Sequence, residues 1–158
     1  MRCAAVLAIA VLLVFPPLAS AQTVAGKAKV VDGDSLEIGQ HRIRLWGIDA
    51  PEFKQTCTRG KERWSCGYAA TDALRRHLDG AIVQCVTVDK DRYGRLVAKC
   101  SSHQRSISEW MVGEGWATDY ARYSKGTYAR AQAKAKSAKR GIWSGTFEKP
   151  EHYRHRPH

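Results

Sequence analysis

From residue 27 onward, apolar and polar side chains alternate with a period of two through three short runs. In residues 27–31, Ala28 and Val30 fall on the face opposite Lys27 and Lys29, the pattern of a half-buried strand. An Asp32-Gly33-Asp34 turn leads into residues 35–38, and Gly39-Gln40 punctuates. Residues 41–48 then place Ile43 and Leu45 on one face, with Arg42 and Arg44 on the other. These runs predict a three-stranded meander that ends in Asp49-Ala50-Pro51-Glu52. Residues 53–65 are polar and basic and predict a loop. The period then changes: Ala70, Ala73, Leu74 and Leu78 recur at helical spacing over residues 67–79, and Gly80 is a stop.

Residues 81–88, where Ile82 and Val86 alternate with polar residues, predict a fourth strand. A turn at residues 91–94 returns the chain into a fifth, residues 95–100. Ser106-Ile107-Ser108-Glu109 has capping-box spacing and opens a short helix through Val112, closed by Gly113 and Gly115. A last helix is predicted over residues 127–140. Tyr128, Ala131, Ala135 and Ala138 form its inner stripe, its outside is Lys-rich, and Gly141 ends it. Trp116 reads as core. Pattern alone makes this an α+β chain with a meander and no internal repeat.

The two ends read differently. Arg2 precedes an apolar run over residues 3–15, then Pro16-Pro17 and the small-x-small Ala19-Ser20-Ala21, which predicts a signal peptide over residues 1–21 cleaved after Ala21. The run is too short to span a bilayer comfortably, so no stable membrane insertion is expected after cleavage. Export to the periplasm or beyond, and a monomer of one domain over residues 22–147, are the corresponding expectations. Residues 148–158 carry three of the six histidines with Arg154 and Arg156, and read as a frayed basic tail rather than a metal tract.

Charge and cysteines sharpen the picture. A formal charge of +11, one less without Arg2, points to polyanionic partners, nucleic acid first and an anionic envelope surface second. Cys57, Cys66, Cys85 and Cys100 remain after signal removal, an even number that suggests two disulfides in an exported domain. No Cys-x-x-Cys is present, which argues against zinc. Counting outward from a hairpin centre between Arg92 and Tyr93 sets Val88 opposite Val97 and Cys85 opposite Cys100, predicting Cys85–Cys100 and therefore Cys57–Cys66. A bulge would shift that register by one.

Carboxylates clustered near an arginine suit both a hard divalent cation and a phosphate, although Asp and Gly also build ordinary turns. The motifs DGDS (residues 32–35), RLWGIDAPE (44–52) and DRYGR (91–95), followed by RGIW (140–143), occur in an order that resembles the staphylococcal nuclease-like (thermonuclease) family. The likeness covers roughly residues 24–147. It implies a small five-stranded OB-type β-barrel with three packed helices. It also implies that Asp34, Asp49 and the carbonyl of Ala50 hold Ca2+, at a position where the family often has threonine instead of Ala50. By the same resemblance Glu52 orients or deprotonates the attacking water, and Arg44 and Arg95 contact the scissile phosphate. Arg92 and Tyr93 would bind a terminal phosphate and base, with Tyr120 and Tyr123 stacking bases.

The function so implied is an exported, calcium-dependent nuclease acting on DNA and RNA with little sequence preference and leaving 3′-phosphate ends. Two other classes fit parts of the sequence. A non-catalytic nucleic-acid-binding OB-type module explains the basic surface, and a small envelope protein for anionic lipid or polysaccharide explains the charge. Neither needs Asp34, Asp49, Glu52, Arg44 and Arg95 together, which favours the enzyme.

Overall fold

The computed structural model describes residues 22–156; the signal peptide expected over residues 1–21 lies outside the described residues. Along the chain, β1 (Thr23–Lys27), β2 (Lys29–Asp32), β3 (Ser35–Ile38), β4 (His41–Leu45) and β5 (Ile48–Asp49) precede a small hairpin, β6 (Cys57–Arg59) with β7 (Glu62–Trp64). Next come α1 (Cys66–His77), β8 (Ile82–Lys90), β9 (Leu96–Ser102), β10 (Arg105–Ser106) and α2 (Ile107–Gly113). β11 (Thr118–Asp119), α3 (Ala121–Ser124), α4 (Ala129–Ser137), a 3-10 turn (Gly141–Ser144) and α5 (Pro150–Arg154) follow.

The main sheet runs β1-β8-β9-β4-β3-β2. Every pairing along it is antiparallel except β4 against β9, which is parallel. Its outermost strands, β1 and β2, are consecutive in the chain and separated by Ala28 alone. One bent run therefore serves both edges, and the sheet curls into the OB-type α+β architecture. At the bend, a Cβ on Gly26 would stand 3.0 Å from Ile38 Cγ2, so glycine permits the crossing. Leu36, Ile43, Leu45 and Val83 of the barrel meet Leu74 of α1 and Ile107, Met111 and Val112 of α2, all at most 1% exposed. α2 begins as its spacing predicts: the Ser106 hydroxyl accepts from the Glu109 backbone N–H at 3.2 Å.

Several expectations need correction. The run predicted over residues 41–48 breaks at Trp46-Gly47, and β5 leaves the main sheet to pair with β11. The loop over residues 53–65 contains the β6–β7 hairpin. On β8 the buried positions are Val83 and Cys85, while Ile82 and Val86 are 54% and 44% exposed. The weakly alternating run had no dominant apolar face, and the bond to Cys100 decides which face turns inward. α4 stops at Ser137, with Lys139 at φ 52° just beyond. Tyr128 and Ala135 are buried as expected, but Ala138 is exposed. α1, α2 and α4 are the three expected helices, and α3 and α5 are short additions.

Both disulfides have the predicted partners, with Cα separations of 5.6 Å for Cys57–Cys66 and 4.1 Å for Cys85–Cys100. The route to the second differs from the symmetric count. Asp89, not Val88, faces Val97, because the turn is one residue longer and a bulge between Thr87 and Asp89 restores the register before Cys85 reaches Cys100. Gly94, at φ 79°, takes the left-handed position that this longer turn needs. Replacing both Cys85 and Cys100 with serine should destabilise the fold by about 3 kcal/mol, the chain-entropy value for a loop of this size. Urea unfolding of the double variant against the parent measures it, and a loss well under 1 kcal/mol would show that the hairpin is ordered without the bridge.

Candidate active site

The Asp32-Gly33 turn delivers Asp34 to the start of β3, and the Asp34 N–H donates to Asp32 Oδ1 at 3.0 Å. Gly33 lies against the segment that follows β5, where an added Cβ would be 2.7 Å from Ala50 Cβ. This close approach brings two sequence motifs into one cluster. The Ala50 N–H donates to Asp34 Oδ2 at 3.1 Å, and Asp34 and Asp49 are 4% and 2% exposed. Arg44 on β4 lies opposite Ser35 on β3. Its Nη2 lies 3.1 Å from Asp34 Oδ2 and 3.0 Å from Asp49 Oδ1, so one guanidinium nitrogen bridges both carboxylates.

The electrostatics follow from that crowding. Burial first, and the charge of Asp34 second, push the Asp32 carboxyl up to about 6. Asp49 is raised for the same two reasons, although Arg154 and Arg44 oppose the shift. Arg44 is held more firmly protonated, because Asp34 and Asp49 outweigh its burial. Oxygen donors of this kind suit a hard divalent cation. Among the described residues no group of three or more His, Cys, Asp or Glu side chains is placed to hold a metal ion. A cation here would depend on the two buried carboxylates together with backbone and solvent oxygens.

Arg95 reaches the cluster from the β8–β9 turn, brought alongside by the parallel pairing of Ile43 with Leu96 and Arg44 with Val97. Its Nη1 donates to Ser35 Oγ at 3.4 Å, and Ser35 Oγ donates to Asp34 Oδ1 at 3.1 Å. Asp91 orients it: Oδ2 accepts from Arg95 Nε at 2.7 Å, while Oδ1 accepts from the Tyr93 and Arg95 N–H groups, both at 3.0 Å. Those bonds from Arg95 and Tyr93 outweigh burial and hold the Asp91 carboxyl below its usual range. At the tip, Arg92 donates to the Tyr93 hydroxyl at 2.7 Å, and Tyr93 is 61% exposed.

Glu52 lies in the loop after β5, and its position depends on α1. Gly67 sits so close that any Cβ there would collide with the Glu52 carbonyl oxygen. The Glu52 N–H donates to Gln55 Oε1 at 3.2 Å, and Gln55 Nε2 donates to the Glu148 carbonyl at 2.7 Å. Tyr120 and Tyr123 stand beside the cluster as an edge-to-face pair 5.0 Å apart, Tyr123 being 54% exposed. The Tyr120 hydroxyl donates to Glu151 Oε1 at 2.9 Å, and burial followed by that carboxylate raises it to about 12.

The tail after Trp143 is not frayed over its described length. α5 folds back over the site, and Arg154 Nη1 lies 2.8 Å from Asp49 Oδ1 and 2.8 Å from Glu52 Oε1. These carboxylates outweigh the cost of burying Arg154 and raise its pKa. Sequence reading missed this residue, along with the orienting roles of Ser35 and Asp91. Pro150 followed by Glu151 was a legible helix start. Nothing local in the chain said where that helix docks.

An OB-type barrel thus carries buried carboxylates paired with guanidiniums at its strand ends. Comparison with known proteins narrows the class. The family profile described as "Staphylococcal nuclease homologue" matches residues 42–145. The chain is 36% identical over 148 residues to "Succinoglycan biosynthesis protein ExoI" of Rhizobium meliloti (strain 1021), covering 91% of this chain and 75% of that one. It is 33% identical to an "Uncharacterized endonuclease" of Escherichia coli O157:H7, covering 81% and 82% of the two chains. With "Staphylococcal-like nuclease CAN1" of Arabidopsis thaliana the identity is 34%, over 72% of this chain but 33% of that larger protein. The chain belongs to the staphylococcal nuclease-like family.

The raised carboxyls make cation-free stability depend on pH. An Asp32 that binds its proton more tightly when folded stabilises the protein fully below the unfolded pKa, and that contribution is lost as pH rises from about 4 to about 6. Asp32→Asn keeps an acceptor for the Asp34 N–H, so thermal unfolding in chelator should show a flatter profile over this range and a higher midpoint at pH 7. A variant as pH-dependent as the parent would assign the slope to Asp49 instead.

Proposed function

We propose that the chain is a calcium-dependent nuclease, exported in its oxidised form, that hydrolyses phosphodiester bonds of DNA and RNA with little sequence preference. The observation that carries this reading is the ion-paired cluster of Asp34, Asp49 and Arg44, to which Glu52 is joined through Arg154 and Arg95 through Ser35. The two disulfides support an oxidising destination. The basic balance supports a polyanionic substrate bound through its backbone, which neither sugar nor base sequence need restrict.

Asp34 and Asp49, with the carbonyl of Ala50, would hold the cation, which supplies charge neutralisation at the phosphate and makes nearby water more acidic. A backbone carbonyl at Ala50 does not need the threonine side chain often found there in the family. Arg44 uses Nη2 on the carboxylates, and among the described residues its Nε and Nη1 make no hydrogen bond, leaving donors for phosphate oxygens. Arg95 likewise retains Nη2 while Asp91 fixes its Nε. Planar guanidiniums in such positions hold phosphate by paired hydrogen bonds and strengthen them as charge develops.

In the hydrolytic step, water oxygen bonds to phosphorus as Glu52 takes its proton, and the bond from phosphorus to the 5′-oxygen breaks. The 5′-oxygen leaves with a proton from solvent, and phosphate stays on the 3′ side. Arg92 and Tyr93 at the hairpin tip would receive a terminal phosphate and its base, with Tyr120 and Tyr123 offering stacking faces.

Incubation of purified protein with single-stranded DNA should give degradation in calcium and none in excess chelator, while circular dichroism stays unchanged by chelation. Undiminished cleavage in chelator would rule the mechanism out, and binding without cleavage at saturating calcium would make the chain a non-catalytic module. Replacing Arg44 or Arg95 by lysine should lower kcat on the order of a hundredfold or more with little change in substrate binding. Arg42→Lys, at an exposed position on the same strand, is the control. Near-normal kcat in both variants would remove the two arginines from the transition state.

A further inference from the structure

We propose that α5 is a latch on the active site: Arg154 fills the gap that a cation and the attacking water require, so the C-terminal segment must lift before turnover. The inference rests on the reading of Asp34 and Asp49 as cation ligands and Glu52 as the base. A single nitrogen, Arg154 Nη1, lies 2.8 Å from both Asp49 Oδ1 and Glu52 Oε1. Water that gives its proton to Glu52 beside a cation on Asp49 needs that same gap. The docked guanidinium and a working site exclude one another sterically.

They also exclude one another by charge. Asp32, Asp34, Asp49 and Glu52 lie near one another, and apart from Arg154 the guanidinium in direct ion pairs with them is Arg44, on Asp34 and Asp49. Arg154 adds positive charge beside them and is itself only 27% exposed at its side chain. A divalent cation supplies positive charge in its place and then repels the guanidinium across a short, partly buried distance. The equilibrium between docked and lifted tail therefore follows cation concentration, and by linkage the docked tail weakens cation binding.

The attachments of the segment suit such a motion. The chain is firmly held as far as residue 148: Thr58 and Thr146 exchange backbone hydrogen bonds at 2.9 and 2.8 Å, and Gln55 holds the Glu148 carbonyl. Pro150 is buried. Beyond it, the other polar contacts are the part-buried bond of Tyr120 with Glu151, Tyr153 with the Lys54 carbonyl at 3.5 Å, and Arg156 with Glu148. A helix of five residues does not persist without such contacts. Loss of the Arg154 pairs should free residues 151–156 and leave the barrel unchanged. A nuclease so built stays silent where divalent cation is scarce.

The test is calcium titration by calorimetry, without substrate, of the chain from residue 22 to its end, of Arg154→Gln, and of a chain ending at Pro150. Both altered proteins should bind calcium about tenfold more tightly, within the usual range of coupling between sites. Arg154→Lys, which keeps the charge, should bind closer to the parent than Arg154→Gln does. Calcium should also speed hydrogen exchange at the His152 and Tyr153 amides, which donate to the Lys149 carbonyl in the docked helix. Equal or weaker calcium affinity in Arg154→Gln would overturn the latch while leaving the cation site intact. So would exchange at those amides that calcium does not change. Absence of calcium binding in all four proteins would overturn the cation-site reading, and the latch with it. If the shortened chain does not fold, Arg154→Gln decides alone.

Discussion

The active end of this barrel depends on two buried aspartates that share one arginine nitrogen. Asp34 and Asp49 leave water almost completely, a step that costs several kcal/mol per charge unless it is offset. Arg44 offsets part of it and joins the ends of β3 and β5 while doing so. Burial first, and the charge of Asp34 second, raise the carboxyls of Asp32 and Asp49. Buried carboxylates favour further positive charge beside them, including a guanidinium from elsewhere in the chain. Arg154 meets the same need from the C-terminal end.

The reactive groups gain their positions from contacts that carry no chemistry of their own. Gly33 and Gly67 let backbone segments approach so closely that Asp34 is fixed against Ala50, and Glu52 against α1. Asp91 holds Arg95 through both carboxylate oxygens, and the Cys85–Cys100 bridge clamps the hairpin that carries the pair. The two arginines consequently differ in kind. Arg44 is a strand residue bound to the two buried carboxylates, whereas Arg95 arrives on a hairpin steadied by its own turn. Arg44 is thus coupled to the electrostatics of the cluster, and Arg95 to the geometry of β8 and β9.

A charged cluster at the rim of a rigid barrel also explains how a five-residue helix can matter to function. In α5 only Pro150 is fully buried, and Arg154 pairs with Asp49 and Glu52. Contacts of that kind are reversible because their strength depends on what else is bound, unlike the apolar contacts that hold α1 and α2 in the core.

The sequence by itself determined most of the local elements and marked the candidate site residues. Alternation set β2 to β4, helical spacing set α1, and Ser106 with Glu109 set the start of α2, because each signal lies within a few residues. The motifs around Asp34, Arg44, Asp49, Glu52 and Arg95 were legible through their resemblance to the staphylococcal nuclease-like family, since each motif is a short contiguous stretch of chain. Tertiary structure decided what local signals do not encode. It chose the inward face of β8, where Ile82 and Val83 competed and the bond to Cys100 settled the register through a compensating bulge. It paired β4 with β9 in parallel across some fifty residues, which is what brings Arg95 to Ser35. It also docked Arg154 against Asp49 and Glu52, about a hundred residues away. That contact arises from the unmet charge of a folded cluster, which exists only once the barrel has brought its carboxylates together.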